Sequence, residues 1–129
     1  MAASPRTTLY DITPEGSTSL ISGTLVDETG AALGSSQLTA FTMTLYAVID
    51  GLPIINSRSA VNILNAGPGT ISAGGAWTIT LAPEDNDIVS TSAPADETHR
   101  LLLEWTYSAG AKKGKCEIEF RVRNLDKVA

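Results

Sequence analysis

Residues 37–50 read QLTAFTMTLYAVID. Phe41, Met43, Leu45, Ala47 and Ile49 fall on one side of a pleated chain, and Thr42, Thr44, Tyr46 and Val48 fall on the other. Successive side chains of a strand point to opposite faces, so an alternation this long, rich in β-branched residues, predicts a half-buried strand. Asp50-Gly51 closes it with a hairpin-type turn. The same reading applies near the end of the chain. Leu101, Leu103, Trp105 and Tyr107 share one strand face, and Cys116, Ile118, Phe120 and Val122 share another. Glu117, Glu119, Arg121 and Arg123 then point to water, and the polar link Ser108–Gly114, with two glycines and two lysines, makes the pair a hairpin.

Between and before these strands the signals are shorter. Ile21, Gly23 and Leu25 alternate with Ser22, Thr24 and Val26, and Asp27-Glu28-Thr29-Gly30 follows as a turn. Leu52–Ser57 is a short return segment whose Pro53 suits an edge. Val61–Leu64 is a brief strand, and residues 65–75, NAGPGTISAGG, are a Gly-broken connection with a short strand at Thr70–Ser72. Trp77, Ile79 and Leu81 form another strand face. Pro83–Thr98 is acidic and reads mostly as surface loop, with a helical turn at Pro83–Val89. About seven strands without a convincing helix predict an all-β chain, an antiparallel immunoglobulin-like β-sandwich. The cysteine pair of antibody domains is missing, so that match is to architecture alone, and a small barrel is the alternative.

Residues 1–17 carry Ser, Thr, Pro and Gly without a sustained period and read as an extended N-terminal arm, with a short strand at Thr8–Ile12. Residues 18–129 form the sandwich domain. Such an arm is free to pair with the sheet edge of a neighbour.

A chain of 129 residues with 43% hydrophobic content fits one domain with one core. The formal net charge of −5 argues against a nucleic-acid role. Its distribution is uneven: residues 1–99 hold two bases and ten acids, whereas residues 100–129 hold seven bases and four acids. That asymmetry can orient a head-to-tail contact between copies, although a basic hairpin tip and a solvated strand face explain it more simply. Cys116 is the only cysteine, so no internal disulfide forms. The first residues lack the pattern of a signal peptide, and no stretch is apolar enough to span a bilayer.

No catalytic constellation emerges. His99 is the only histidine and reads as a loop-to-strand residue beside Arg100, whose charge disfavours protonation. Cys116 has Lys115 beside it, but its alternation with Ile118 and Phe120 points it into the core. Glu84-Asp85-Asn86-Asp87 offers oxygen ligands for Ca²⁺ without matching an EF-hand loop, and a solvated loop is the simpler reading. The glycines of residues 67–75 lack the Lys and the following helix of a phosphate loop. Glu104, Glu117 and Glu119 lie beside bases on a hairpin, where cross-strand pairing explains them better than acid–base chemistry. Lys112, Lys113 and Lys115 form a basic tip without aromatic interleaving, and Trp77 and Trp105 read as core. No metal and no cofactor is expected.

From residue 61 onward the chain resembles small structural proteins of tailed bacteriophages, those with immunoglobulin-like domains in baseplate, neck and capsid-decorating proteins. The resemblance rests on Asn65-Ala66-Gly67, on the strand Ala76–Leu81 running into Ala82-Pro83-Glu84-Asp85, and on the hairpin His99-Arg100-Leu101, Glu104-Trp105-Thr106-Tyr107 and Glu117-Ile118-Glu119-Phe120. The first 60 residues add only Gly23-Thr24-Leu25 followed by Asp27 and Gly30.

The resemblance implies a non-enzymatic virion protein that binds capsid, neck or tail subunits, is homo-oligomeric in the particle, and contacts neither nucleic acid nor membrane. The arm and the loop Pro83–Thr98 would make the contacts, with Pro5, Arg6, Leu9, Tyr10, Ile12, Asp85, Asp87, Lys112 and Lys113 as partner-binding residues. A carbohydrate- or receptor-binding sandwich is the alternative, and an enzyme built on carboxylates is the third reading.

Overall fold

A computed structural model describes residues 6–90 and 95–125. The described residues form eight strands in two sheets. They are β1 (Arg6–Pro14), β2 (Ser19–Thr24), β3 (Leu38–Ala47), β4 (Val61–Asn62), β5 (Gly69–Ile71), β6 (Ala76–Leu81), β7 (Asp96–Tyr107) and β8 (Lys112–Arg123). One sheet has the order β1-β8-β7-β3-β4 and the other β2-β6-β5. A 3₁₀ turn, Pro83–Asn86, lies between β6 and β7 and joins the two sheets.

The alternation read in the sequence places the core. Phe41, Met43, Leu45 and Ala47 of β3, with Leu101 and Leu103 of β7 and Ile118, Phe120 and Val122 of β8, face inward from the larger sheet. Ile21 of β2, Ile71 of β5, and Trp77, Ile79 and Leu81 of β6 meet them from the smaller one, in one continuous cluster. Two sheets sharing one apolar interior make a β-sandwich. Trp105 adds its ring edge-on to Phe41, with centroids 6.4 Å apart. Trp77 is buried because Gly23, opposite it on β2, has no side chain: a Cβ there would lie 2.6 Å from the indole.

Every named ladder is antiparallel except one. β1 runs parallel to β8, pairing Arg6 with Glu117 and Pro14 with Arg123 across a register break between Thr8 and Ile12. The larger sheet is therefore mixed. The stretch read as a free arm is, over residues 6–14, an edge strand of the chain's own sheet. It extends beyond the Thr8–Ile12 strand expected from the sequence because the edge of β8 pairs with it on both sides of that break, at residues 6–8 and at 12–14. From Pro14 the chain crosses to the other sheet through a turn in which Gly16 has φ +65° and the Ser17 hydroxyl donates to the Pro14 carbonyl.

β3 ends at Ala47, and the return segment is irregular, touching β3 through the Tyr46–Ile54 bridge and the bonds of Ile55 N to Leu45 O and Leu45 N to Arg58 O. The Asp27 turn is tied by its own carboxylate, which accepts from the Thr29 amide, the Thr29 hydroxyl and the Ala31 amide. β7 begins at Asp96, inside the stretch read as loop, and this makes His99 a strand residue.

Candidate functional site

The two ends of the sandwich carry different polar clusters. β7 runs between them over twelve residues, roughly 36 Å at the rise of a strand.

At the end marked by Asp96, the 3₁₀ turn folds its acidic tetrad inward. Asp85 has no exposure; its carboxylate accepts from Asn56 Nδ2 at 2.9 Å, from Arg58 Nε at 3.0 Å and Nη2 at 3.3 Å, and from the Ala82 amide at 2.8 Å. Asn86 is equally buried and donates to the Ser17 carbonyl and the Ser19 hydroxyl, tying the turn to the start of β2. Neighbouring connections satisfy the Asp85 carboxylate and the Asn86 side-chain nitrogen, whereas Asn86 Oδ1 is buried without a hydrogen-bond partner. The reading of residues 84–87 as a solvated loop is thus corrected for Asp85 and Asn86, and Asp85 is occupied internally and cannot act as a surface contact. Asp87 is exposed.

Beside this turn lies a buried pair that the sequence reading missed. Glu97 and His99 both face inward from β7, with Glu97 Oε1 2.7 Å from His99 Nε2 and side chains 1% and 0% exposed. Glu97 also accepts from the amides of Val89 and Ser90 at 2.9 and 2.8 Å, fastening the segment after the 3₁₀ turn. His99 Nδ1 is buried without a hydrogen-bond partner, and the ring packs edge-on to Phe120 at 5.7 Å. Burial pushes the imidazole below its ordinary value, against the opposing pull of Glu97 and Asp87. Arg100, named from sequence as the cause, points to the other face and pairs with Glu119 at 2.9 Å. The missed signal was parity: counting back by twos from Leu103 and Leu101 reaches His99 and Glu97.

At the opposite end, Glu28 bridges Lys112 and the hydroxyl of Tyr107. The ammonium of Lys112, foremost, holds the Glu28 carboxyl below its usual range, and Glu28 in turn raises Lys112 and Tyr107. Asp27, Glu28, Gln37, Tyr107 and Lys112 line an open pocket of about 300 Å³ here. Lys113 is exposed on the same hairpin.

The expected contact residues therefore do not converge. Lys112 and Lys113 sit at one end, and Asp85 and Asp87 at the other. Arg6, Leu9, Tyr10 and Ile12 belong to β1 along the sheet edge, Ile12 being half-buried, and Pro5 lies outside the described residues.

The carboxylates considered for acid–base work are engaged across strands. Glu104 meets Lys115 at 3.3 Å, Glu119 meets Arg100, and Glu117 accepts from the Tyr46 hydroxyl. Cys116 packs against the core, and burial pushes its thiol up to about 11. Among the described residues no group of three His, Cys, Asp or Glu side chains is arranged to hold a metal ion, and no helix is long and apolar enough to cross a membrane.

The two outer faces are unlike. Outward positions of the smaller sheet are Leu20, Ser22, Thr24, Thr70, Ala76, Thr78 and Thr80, with Ser22, Thr78 and Thr70 in one row across the three strands. None carries a charge, and Leu20 is 67% exposed. The larger sheet carries Arg100, Glu104, Lys115, Glu117, Glu119 and Arg121 on the outer face of β7 and β8. No family model, curated protein or solved structure matches this chain.

Proposed function

We propose that the chain is a non-enzymatic structural protein of a tailed-phage virion, a capsid-decorating, neck or tail accessory part that binds neighbouring subunits. The observation that carries this reading is the contrast between the outer faces. An uncharged Ser/Thr face with an exposed Leu20 can be covered by another protein at lower desolvation cost than a charged face. The charged hairpin face opposite it is suited to orienting the partner. Two unlike faces on one rigid body favour heterologous contacts, the kind that build rings and tubes from many copies. Weak contacts of this sort are strengthened by repetition. The likeness of residues 61–129 to phage structural proteins supports the same reading.

Quantitative mass spectrometry of gradient-purified particles from the source tests it. The proposal requires the chain in those particles at a fixed copy number, and its absence from them would reject the virion reading. A carbohydrate- or receptor-binding module is the second reading, favoured by the open polar pocket between Glu28, Gln37, Tyr107 and Lys112. Glycan binding that is lost on Tyr107→Phe, together with absence from particles, would establish it instead.

A further inference from the structure

We propose that Glu97 and His99 form an acid-operated latch, in which protonation of His99 releases residues 87–90 from the end of the sandwich. The latch is geometric. The Glu97 carboxylate holds three donors at once: His99 Nε2 at 2.7 Å, and the Val89 and Ser90 amides at 2.9 and 2.8 Å. The segment it holds belongs to no strand, whereas Glu97 and His99 belong to β7, both paired to β8 and His99 to β3 as well. A lifting of the segment would therefore leave the ladders in place.

With Nε2–H donating to Glu97, the ring is neutral and Nδ1 holds a lone pair in a buried site without a partner. A second proton would put an N–H at Nδ1 where nothing described accepts it, and would place a cation in the interior. The groups facing the ring are few. Glu97 comes from its own strand and Asp87 from the latched segment, and both attract a proton. β8 contributes Phe120 and β3 contributes Ala47, neither of which titrates. The closed form thus resists the proton. A form with the segment lifted and the ring in water accepts it near the ordinary imidazole value of about 6.5. Opening is then favoured roughly tenfold for each pH unit below that value, until the closed form itself protonates.

Amide hydrogen exchange on the full chain at pH 7.5 and 5.5, expressed as protection corrected for intrinsic rates, tests this. At both pH values Val89 and Ser90 should exchange far faster than Met43 and Leu103, because their opening is local. Their protection should fall about tenfold at pH 5.5. His99→Gln keeps a donor for Glu97 without a titrating ring and should abolish the pH dependence. The proposal is overturned if Val89 and Ser90 exchange only with the core, if their protection is unchanged by pH, or if the variant shows the same fall. Should that variant not fold, titration of the wild-type ring decides by NMR. Titration near 6.5 with the two amides still protected would overturn the latch; titration that tracks their loss of protection supports it.

Discussion

Arg58 and Asp85 join two connections at one end of the sandwich: the guanidinium of the β3–β4 link reaches the carboxylate of the β6–β7 turn with Nε 3.0 Å from Oδ1. Asp85 is fully buried, while Arg58 keeps 23% of its side chain in water. Asn56 and the Ala82 amide complete the ring of donors. Replacing Asp85 by Ala strands these donors beside a partly buried cation, so a loss of about 3 kcal/mol is expected. Arg58→Ala should cost less, because Asn56 and Ala82 remain to satisfy the carboxylate. Urea unfolding of both variants and of the double variant measures the costs and their coupling.

Gly34 lies against the turn before β6, where an added Cβ would stand 1.8 Å from the Ala73 carbonyl oxygen. Both partners are backbone, so no side-chain rotation relieves the clash. Gly34→Ala is expected to destabilise the fold by about 2 kcal/mol, read as a lowered thermal midpoint.

The pH dependence of global stability follows from His99, whose folded value is held below its ordinary one by burial. The unfolded chain binds the proton first as pH falls through about 6.5, which favours unfolding. Stability from this group is complete above that pH and declines below it, by at most about 1.4 kcal/mol per pH unit. Denaturation midpoints at pH 7.5 and 5.5 should differ in that sense, and the difference should shrink in His99→Gln.

Among the described residues β1 covers the outer edge of β8, over Glu117–Arg123. Deleting residues 1–14 leaves the hydrogen-bonding edge of β8 bare from Glu117 to Arg123. The truncated chain should self-associate with increasing concentration more than the full chain does, as measured by light scattering.

The parts of the fold legible in the sequence were those where one face is dry and the other wet. Phe41, Met43 and Leu45 against Thr42 and Thr44, and Ile118 and Phe120 against Glu117 and Glu119, show this at once. β1 was less legible, because a parallel partner is chosen by tertiary packing and leaves no turn between the paired strands to read. Asp85 and Asn86 looked solvated because hydrophilic residues usually are; their burial depends on Asn56, Arg58 and Ser17, far away in the chain. Glu97 fell within Pro83–Thr98, whose polarity reads as loop, and His99 at its boundary, although both continue the parity of Leu101. The uncharged face of β2, β5 and β6 is written plainly in the sequence, but only the strand order brings Ser22, Thr70 and Thr78 into one row.

That row offers the most direct test of the assembly proposal. The measurement is the copy number of wild type and Thr78→Lys in purified particles, by quantitative mass spectrometry. Thr78 points outward at the middle of the central strand, so a lysine there should leave the fold intact while placing a charge in the contact. The account predicts a fixed copy number for wild type and a loss of at least about tenfold for the variant, as for burying an unpaired charge. Thr78→Lys incorporated at the wild-type level, or wild type missing from the particles, would contradict it.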